Sequence, residues 1–287
     1  MQEANIQHFF DEDTSTLTYV VSDPATRNAA IVDPVLGYSA HSGRTDTGPA
    51  DAVIEHIEAQ GLDLAWILET HAHADHLTGA QYMKSKLGGR IAIGEGIRKV
   101  QAHFAPVFNL GDAVKADGSD FDYLFTEGEV FHIGNLQCTV IATPGHTDDS
   151  VSYRVGSAVF VGDSLFMPDY GTARCDFPGG DAGTLYESIR KLLSLRGDTR
   201  LYMCHDYRPG GRELRWVSTV NEQRKANVHA AEGISKAEFT QMRTARDATL
   251  DLPVLIVPSI QVNIRAGRLP DAEDNGIAYI RTPLDAL

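Results

Sequence analysis

Apolar residues recur along the chain at two periods, one typical of β-strands and one typical of α-helices. Near the start, runs 17–21 and 29–33 are rich in apolar and β-branched residues and flank a Ser-Asp-Pro turn, so they predict a hairpin. The next apolar residues recur at helical spacing from Val53 to Ile57 and stop near Gly61. This spacing predicts a helix that packs one face on a sheet.

The rest of the chain alternates in the same way. Residues 65–69 predict a buried strand, whereas the polar, glycine-containing stretch 37–49 predicts an exposed loop. Further strands are predicted at 130–133, 137–142, 151–155, 158–161 and 201–204, and helices at 182–195, 214–228 and 235–248. The pattern predicts layered α/β architecture in a single domain over residues 1–287, with a helical and extended C-terminal segment over about 214–287.

Composition and charge narrow the function classes. Apolar residues make up 43% of the 287 residues, which is enough for a folded core, and no run reaches the roughly 18 apolar residues of a membrane-spanning helix. The formal net charge of −14 disfavours a nucleic-acid partner. Three cysteines without paired spacing, and an acidic N-terminus without an export signal, favour a reducing, cytoplasmic compartment.

The densest chemical signal directly follows the predicted strand 65–69. Within six positions the chain places His71, His73, Asp75 and His76. Neutral imidazole and carboxylate are ligands that zinc, iron and manganese prefer, so the cluster favours a metal site. Taken alone, the cluster is also compatible with a solvated His-rich turn or a helix cap.

Three more polar residues stand at the ends of predicted strands: His146, Asp163 and His205. Each has a structural alternative, since His146 could cap a turn, Asp163 could begin a loop, and His205 could bond its neighbour Asp206. Loops beyond strand ends are where α/β sheets usually build ligand sites. We therefore expect these residues to meet the His-rich segment in space.

The order His-x-His-x-Asp-His, then a distant His, Asp and His, resembles the signature of the metallo-β-lactamase superfamily, and all seven positions are present. The resemblance implies that superfamily's four-layer αββα sandwich. Within the superfamily, several segments are similar to the persulfide dioxygenase branch: 33–36, 69–76, 143–147, 173–177 and the Asn-x-Arg-x-Gly sequence at 263–267.

This resemblance implies a mononuclear Fe(II) centre held by His71, His146 and Asp163. It implies a reaction in which glutathione persulfide, O2 and water give sulfite and glutathione, as part of sulfur metabolism. The remaining signature residues are expected either to position the ligands or to hold a second metal: His73, Asp75, His76 and His205.

Substrate contacts are expected from arginine, because glutathione carries two carboxylates and the protein is acidic. Arg174, in the family-like segment 173–177, is the first candidate, with a salt bridge to Asp176 as the structural alternative. Tyr207, Arg224 and Arg265 are further candidates for glutathione contacts.

The rival hypothesis is a glyoxalase II-like hydroxyacylglutathione hydrolase with two zinc ions, because residue types alone do not separate the two chemistries. Retention of all seven signature residues disfavours a binding module without catalysis, and the absence of an export signal disfavours antibiotic hydrolysis. The sequence leaves open whether the protein forms a homodimer.

Overall fold

The computed structural model describes residues 3–286, which form two six-stranded sheets, one small sheet and seven α-helices. The strands are β1 Asn5–Asp11, β2 Thr16–Ser22, β3 Asn28–Val32, β4 Val35–Ser39, β5 Arg44–Asp46, β6 Asp63–Leu68, β7 Leu77–Thr78, β8 Arg90–Gly94, β9 Tyr123–Phe125, β10 Val130–Ile133, β11 Leu136–Ala142, β12 Val151–Val155, β13 Ala158–Phe160, β14 Arg200–Tyr202 and β15 Val217–Thr219. The helices are α1 Gly48–Gln60, α2 Ala80–Leu87, α3 Ile97–Val107, α4 Ala182–Leu193, α5 Val220–Ala226, α6 Lys236–Asp247 and α7 Ile256–Asn263.

The two large sheets are mixed. The first has the order β1-β2-β3-β6-β8-β9, antiparallel through β3 and parallel from β3 to β9. The second has the order β10-β11-β12-β13-β14-β15, in which only β13 and β14 pair in parallel. A small sheet, β5-β4-β7, lies beside them. Because parallel neighbours need a long crossover, helices connect the parallel strands and cover the sheets.

Three apolar clusters define the layers. The central cluster joins residues of both large sheets, such as Tyr19 and Leu68 from the first and Val140 and Tyr153 from the second. A second cluster packs helices α1, α2, α3 and α7 on the outer face of the first sheet. A third packs α4 and α6 on the outer face of the second sheet. The order helix, sheet, sheet, helix confirms the predicted αββα sandwich.

Several local predictions are confirmed. Strands β2 and β3 pair as an antiparallel hairpin. Helix α1 ends at Gly61, whose φ of 58° is a left-handed conformation that glycine adopts without a Cβ penalty. Helix α6 begins with the predicted capping box, in which the Ser235 side chain accepts from the Glu238 amide and the Glu238 carboxylate accepts from the Ser235 amide.

Other local predictions are wrong. The stretch 37–49 is not only loop, because β4 and β5 pair within it and β4 also pairs with β7. The predicted helix 214–228 contains strand β15 before the short helix α5, since Val217–Thr219 pairs with β14. Both errors involve strands of three to five residues that are defined by their pairing with other strands. The period of apolar residues within so short a segment does not reveal such pairing. No helix within residues 3–286 has both the length and the apolar character needed to cross a bilayer.

Candidate metal centre

The predicted site residues follow the ends of four strands. The segment with His71 and His76 follows β6, His146 follows β11, Asp163 follows β13 and His205 follows β14. The structure brings all of these side chains together in two adjacent groups. The expectation that strand-end residues meet in space is therefore supported by the geometry.

The first group, which we call the metal triad, consists of His71, His146 and Asp163. Asp163 Oδ2 lies 4.0 Å from His71 Nε2 and 3.8 Å from His146 Nε2. All three residues are buried. Two imidazoles and one carboxylate from three separate loops form a donor set suited to a divalent transition metal that keeps open coordination positions.

Each histidine of the metal triad is held through its Nδ1. Nδ1 of His146 donates to the carbonyl oxygen of Arg174 at 2.7 Å. Nδ1 of His71 lies 3.1 Å from Oγ1 of Thr70. A hydrogen bond at the opposite ring nitrogen fixes the ring orientation and selects the tautomer, so both Nε2 atoms are directed towards Asp163.

The second group, which we call the four-residue group, consists of His73, Asp75, His76 and His205. Asp75 Oδ2 lies 3.3 Å from His205 Nε2, and Asp75 Oδ1 lies 3.5 Å from His76 Nδ1. His205 Nε2 is also 3.4 Å from Oδ1 of Asp163. The Asp163 carboxylate therefore lies between the two groups, with one oxygen facing each.

Several atoms of both groups that could bind a metal are buried and, among residues 3–286, have no hydrogen-bond partner. They are His71 Nε2, His73 Nδ1, Asp163 Oδ1, His76 Nε2 and His205 Nε2. Leaving a buried polar atom unsatisfied costs about 1–3 kcal/mol, and a bound cation removes that cost. The metal triad and the four-residue group therefore both fit a metal ion of the zinc, iron or manganese type.

Burial and neighbouring charges set the ionisation of the centre. Burial, followed by the adjacent imidazoles, holds the pKa of His71 and His73 well below the usual range, which favours the neutral form that binds metal. Burial lowers the pKa of His205 too, but the carboxylates of Asp75 and Asp163 outweigh it and raise that pKa. Burial raises the pKa of Asp163, a cost that a nearby cation offsets.

Two glycines allow the ligand loops to approach their neighbours. Gly162, directly before Asp163, has a φ of 52°, and a Cβ there would lie 2.7 Å from Thr70 Oγ1. Gly145, directly before His146, has a φ of 131°, and a Cβ would lie 2.2 Å from the Leu185 backbone nitrogen. A larger side chain at either position would clash with these neighbours and displace the Asp163 or His146 that follows it.

Sequence reasoning assigned no specific role to three buried residues that hold the His-rich segment. Asp33 accepts from the Thr70 amide at 2.7 Å and lies 3.1 Å from His73 Nε2. Asp149 accepts from the Ala72 amide at 2.8 Å. Asp33 and Asn263 stand in segments noted for their resemblance, and Asp149 closely follows His146. The signals in the sequence were therefore the resemblance of their segments for Asp33 and Asn263, and proximity to His146 for Asp149.

The third of these, Asn263, stands at the end of α7. Its Nδ2 donates to the carbonyl oxygens of His73 and His76 at 2.7 and 2.8 Å, and its Oδ1 accepts from the Thr78 amide at 2.8 Å. The side chain therefore joins the C-terminal part of the chain to the loop that carries four of the seven signature residues.

A cavity of about 380 Å³ reaches the metal triad from the surface, and His146 and Asp163 line its inner end. Its wall includes four aromatic rings, those of Phe166, Tyr170, Phe177 and Tyr207. The rings of Tyr170 and Tyr207 are 4.6 Å apart at their centroids. The volume and the mixture of aromatic and polar lining are typical of a small-molecule site.

The predicted glutathione contacts fall in different places. Arg174 and Tyr207 line the cavity, but the Arg174 guanidinium forms a bidentate pair with Asp176, with both distances 2.6 Å. Arg224 donates to backbone carbonyls at the end of α4, and the largely buried Arg265 lines a different cavity near the C-terminus. The structure therefore does not bring Arg224 or Arg265 to the metal centre. The guanidinium of Arg224 is held by the backbone at the end of α4, and Arg265 follows α7 on the side of the C-terminal cavity.

Residues 13–205 match the family described as the metallo-beta-lactamase superfamily, and the chain belongs to it. A solved structure and a human relative show similarity to one branch of that superfamily. The crystal structure of ETHE1 from Myxococcus xanthus superposes with a TM-score of 0.74 at 30% identity, over 92% of this chain and all of that chain. Persulfide dioxygenase ETHE1 of Homo sapiens is 30% identical over 91% of this chain and 88% of its own length.

Relatives near 50% identity have other names. A probable metallo-hydrolase of Burkholderia pseudomallei is 51% identical over 98% of this chain and 99% of its own length. Glyoxylase B2 of Dictyostelium discoideum is 50% identical over 99% of this chain and 98% of its own length. The comparisons confirm the predicted superfamily and the similarity to the persulfide dioxygenase branch.

Proposed function

We propose that the protein is a persulfide dioxygenase. In the proposed reaction one glutathione persulfide, one O2 and one water give one glutathione, one sulfite and two protons. The metal triad is the observation that carries the proposal, because His71, His146 and Asp163 converge in a chain 30% identical to the human persulfide dioxygenase. When bound there, one Fe(II) would supply the open coordination positions and the redox chemistry that oxygenation of sulfur requires.

The chain's own residues orient the reaction. The carbonyl of Arg174 and the hydroxyl of Thr70 hold the triad histidines in one ring orientation. The Phe177 ring packs edge-on against His146, with centroids 5.5 Å apart, and limits the approach of water to that ligand. The aromatic wall of the cavity offers apolar surface to the carbon chain of a thiol carrier.

Tyr207 and Arg174 remain proposed substrate contacts because both line the cavity. Tyr207 is 38% exposed and carries a hydroxyl that can bond a peptide or carboxylate oxygen. The Arg174 guanidinium could bind a carboxylate only by sharing or releasing Asp176, its present partner.

A second candidate function is glyoxalase II-like hydrolysis of a glutathione thioester. It is favoured by the four-residue group, which offers a second ligand set next to Asp163. Two metal ions in such a site would generate hydroxide for attack on the thioester. The metal content of the purified protein separates the two functions, since one iron supports the dioxygenase and two zinc ions support the hydrolase.

The deciding experiment compares oxygen consumption with thioester cleavage. Iron-loaded protein given glutathione persulfide in an oxygen electrode should consume O2 one-for-one with sulfite released. The His146→Ala variant should lose this activity, whereas His103→Ala, at an exposed position on α3, should retain it. If persulfide causes no oxygen uptake while zinc-loaded protein rapidly hydrolyses S-lactoylglutathione, the dioxygenase proposal is wrong and the hydrolase takes its place.

A further inference from the structure

The cavity above the metal triad is lined by three arginines that differ in their partners. Arg174 pairs with Asp176. Arg243 is almost fully buried, and its guanidinium is held by Asp247 and by the Thr172 carbonyl. Arg246 also lines the cavity, and within residues 3–286 its guanidinium has neither a carboxylate within 4.0 Å nor a hydrogen-bond acceptor. Arg246 is therefore the cavity cation whose charge remains available to a ligand.

The backbone under Arg246 is fixed. It lies in α6 between Arg243 and Asp247, which form a buried ion pair. The Asp247 carboxylate also accepts from the Cys175 amide at 2.8 Å, so this helix is fastened to the segment next to Arg174. A guanidinium carried on a fixed helix loses less conformational entropy on binding than one on a free loop.

Neighbouring groups show where the charge of Arg246 acts. Burial raises the pKa of Tyr170 in the cavity wall, and the positive charge of Arg246 opposes that rise. Burial lowers the pKa of His229 to about 4, and the charges of Arg243 and Arg246 add to this effect. Arg246 and Tyr170 line the same cavity, so the charge of Arg246 acts on the aromatic part of its wall.

We propose that Arg246 binds a carboxylate of the thiol carrier and so selects carboxylate-bearing persulfides such as that of glutathione. The inference rests on the proposed function for the identity of the reacting group, but its binding step needs no oxygenation. An acidic chain with a formal charge of −14 repels an anionic substrate, so one unpaired cation in the cavity has a large share in selecting that substrate. Arg246 thus joins Arg174 as a proposed carboxylate contact, and unlike Arg174 it has no carboxylate partner within residues 3–286.

Calorimetric binding of two unreactive probes tests this inference. S-methylglutathione carries carboxylates, and S-methylcysteamine carries none. Arg246→Gln should bind S-methylglutathione about 5- to 20-fold more weakly than wild type. This loss of affinity lies between that expected for an exposed ion pair and that expected for a charge-assisted hydrogen bond in a cavity. Its binding of S-methylcysteamine should be unchanged or slightly stronger. Lys236→Gln, at the start of α6, is the matched control for the change in net charge.

The outcomes separate the inference from the proposed function. If Arg246→Gln and Lys236→Gln bind S-methylglutathione equally well, the inference is overturned even when wild-type protein oxidises persulfide. The inference is also overturned if wild-type protein does not bind the probe. If wild-type protein binds the probe through Arg246 but consumes no oxygen with persulfide, the recognition role stands and the dioxygenase assignment fails.

A second cavity, independent of these arginines, lies behind the segments that carry His71 and His146, and no residue of the metal triad lines it. It is small, about 20 Å³, and its lining is almost entirely apolar, with Val100 and Phe104 from α3 and Ile256 and Ile260 from α7. Its one hydroxyl-bearing residue, Thr147, already has a partner, because its Oγ1 lies 2.5 Å from Ser150 Oγ. Such a lining offers water no free hydrogen-bond partner but accepts an apolar molecule of two atoms.

The position of this small cavity links it to the centre. Ala72 and Ala74, which line it, alternate in the chain with His71, His73 and Asp75, and Thr147 follows His146. Ala74 and Phe177 line both this cavity and the large one, so they form the wall between them. We infer that the small cavity holds dioxygen behind this wall, one residue layer from the large cavity that holds the persulfide, an inference that also rests on the proposed function.

Filling the small cavity provides the test. Val100→Ile adds one methylene group to its lining, and Val53→Ile makes the same change on α1, away from the cavity. Wild-type protein and Val53→Ile should bind xenon in ¹²⁹Xe NMR titrations, and Val100→Ile should bind it more weakly. The KM for O2 should rise about 3- to 10-fold in Val100→Ile while the KM for glutathione persulfide stays constant.

Two results would overturn the dioxygen site: absence of xenon binding to wild-type protein, or an unchanged KM for O2 in a Val100→Ile variant that has lost xenon binding. If xenon binds to wild-type protein and not to this variant, yet persulfide causes no oxygen uptake, the cavity is a gas site and the proposed reaction is wrong.

Discussion

Replacing Asn263 with alanine should destabilise the protein and loosen the metal centre together. The side chain makes three hydrogen bonds of 2.7–2.8 Å to backbone groups of the loop 73–78, and it is only 3% exposed. At about 0.5–1.5 kcal/mol for each bond, the loss sums to about 1.5–4.5 kcal/mol. Because the substitution leaves three buried backbone groups without partners, we expect the upper half of this range, about 3–4.5 kcal/mol.

Urea denaturation of the metal-free protein measures this loss directly. In thermal denaturation, at about 2–4 °C per kcal/mol, Tm should fall by about 6–18 °C. Asn263→Asp should be at least as destabilising as Asn263→Ala, because a carboxylate oxygen would face the carbonyl oxygens of His73 and His76 in a buried position. Asn275→Ala, at an exposed position, should change stability by less than about 0.5 kcal/mol.

The metal centre provides a second measurement on the same variants. Loss of the two contacts to the His73 and His76 carbonyls should weaken metal retention against a chelator by about 10- to 100-fold, the range seen when residues that support ligands are removed. The reasoning fails if Asn263→Ala costs less than about 1 kcal/mol, or if Asn263→Asp is the more stable of the two variants.

Three further predictions concern the centre and the fold. Alanine at any position of the metal triad should abolish iron retention in metal analysis. Arg243→Met should cost about 3–5 kcal/mol in denaturant unfolding, because the buried Asp247 carboxylate loses its partner. Lowering the pH from about 6.5 to about 4 should reduce stability through His229, since the unfolded state binds the proton first; His229→Gln should lose less over that interval.

Each of these has a contradicting result. Full iron occupancy in His146→Ala would show that the metal triad is not the primary ligand set. A fully stable Arg243→Met would show that Asp247 is satisfied by the Cys175 amide alone. An identical fall in stability with pH for wild-type protein and His229→Gln would assign the pH effect to other groups.

The sequence alone determined the layered architecture and the metal centre to a large degree. The period of apolar residues located α1 and α4, and the alternation of short runs located β10 to β13, because these elements bury one face in a regular pattern. The resemblance carried by the seven signature positions predicted the αββα sandwich. It also predicted the convergence of His71, His146 and Asp163, because loops beyond strand ends collect at a common site.

Only the tertiary structure decided which supporting residues serve that site. Strands β1, β5 and β15 went unrecognised because their pairing partners, and not their own periodicity, make them strands. The sequence shows where each arginine stands in the chain, but not which group its guanidinium contacts after folding. It therefore could not show that Arg174 pairs with Asp176, whereas Arg246, remote in sequence, lines the same cavity without a carboxylate partner in the described part of the chain. Partner choice depends on contacts between distant segments, which only the folded chain defines.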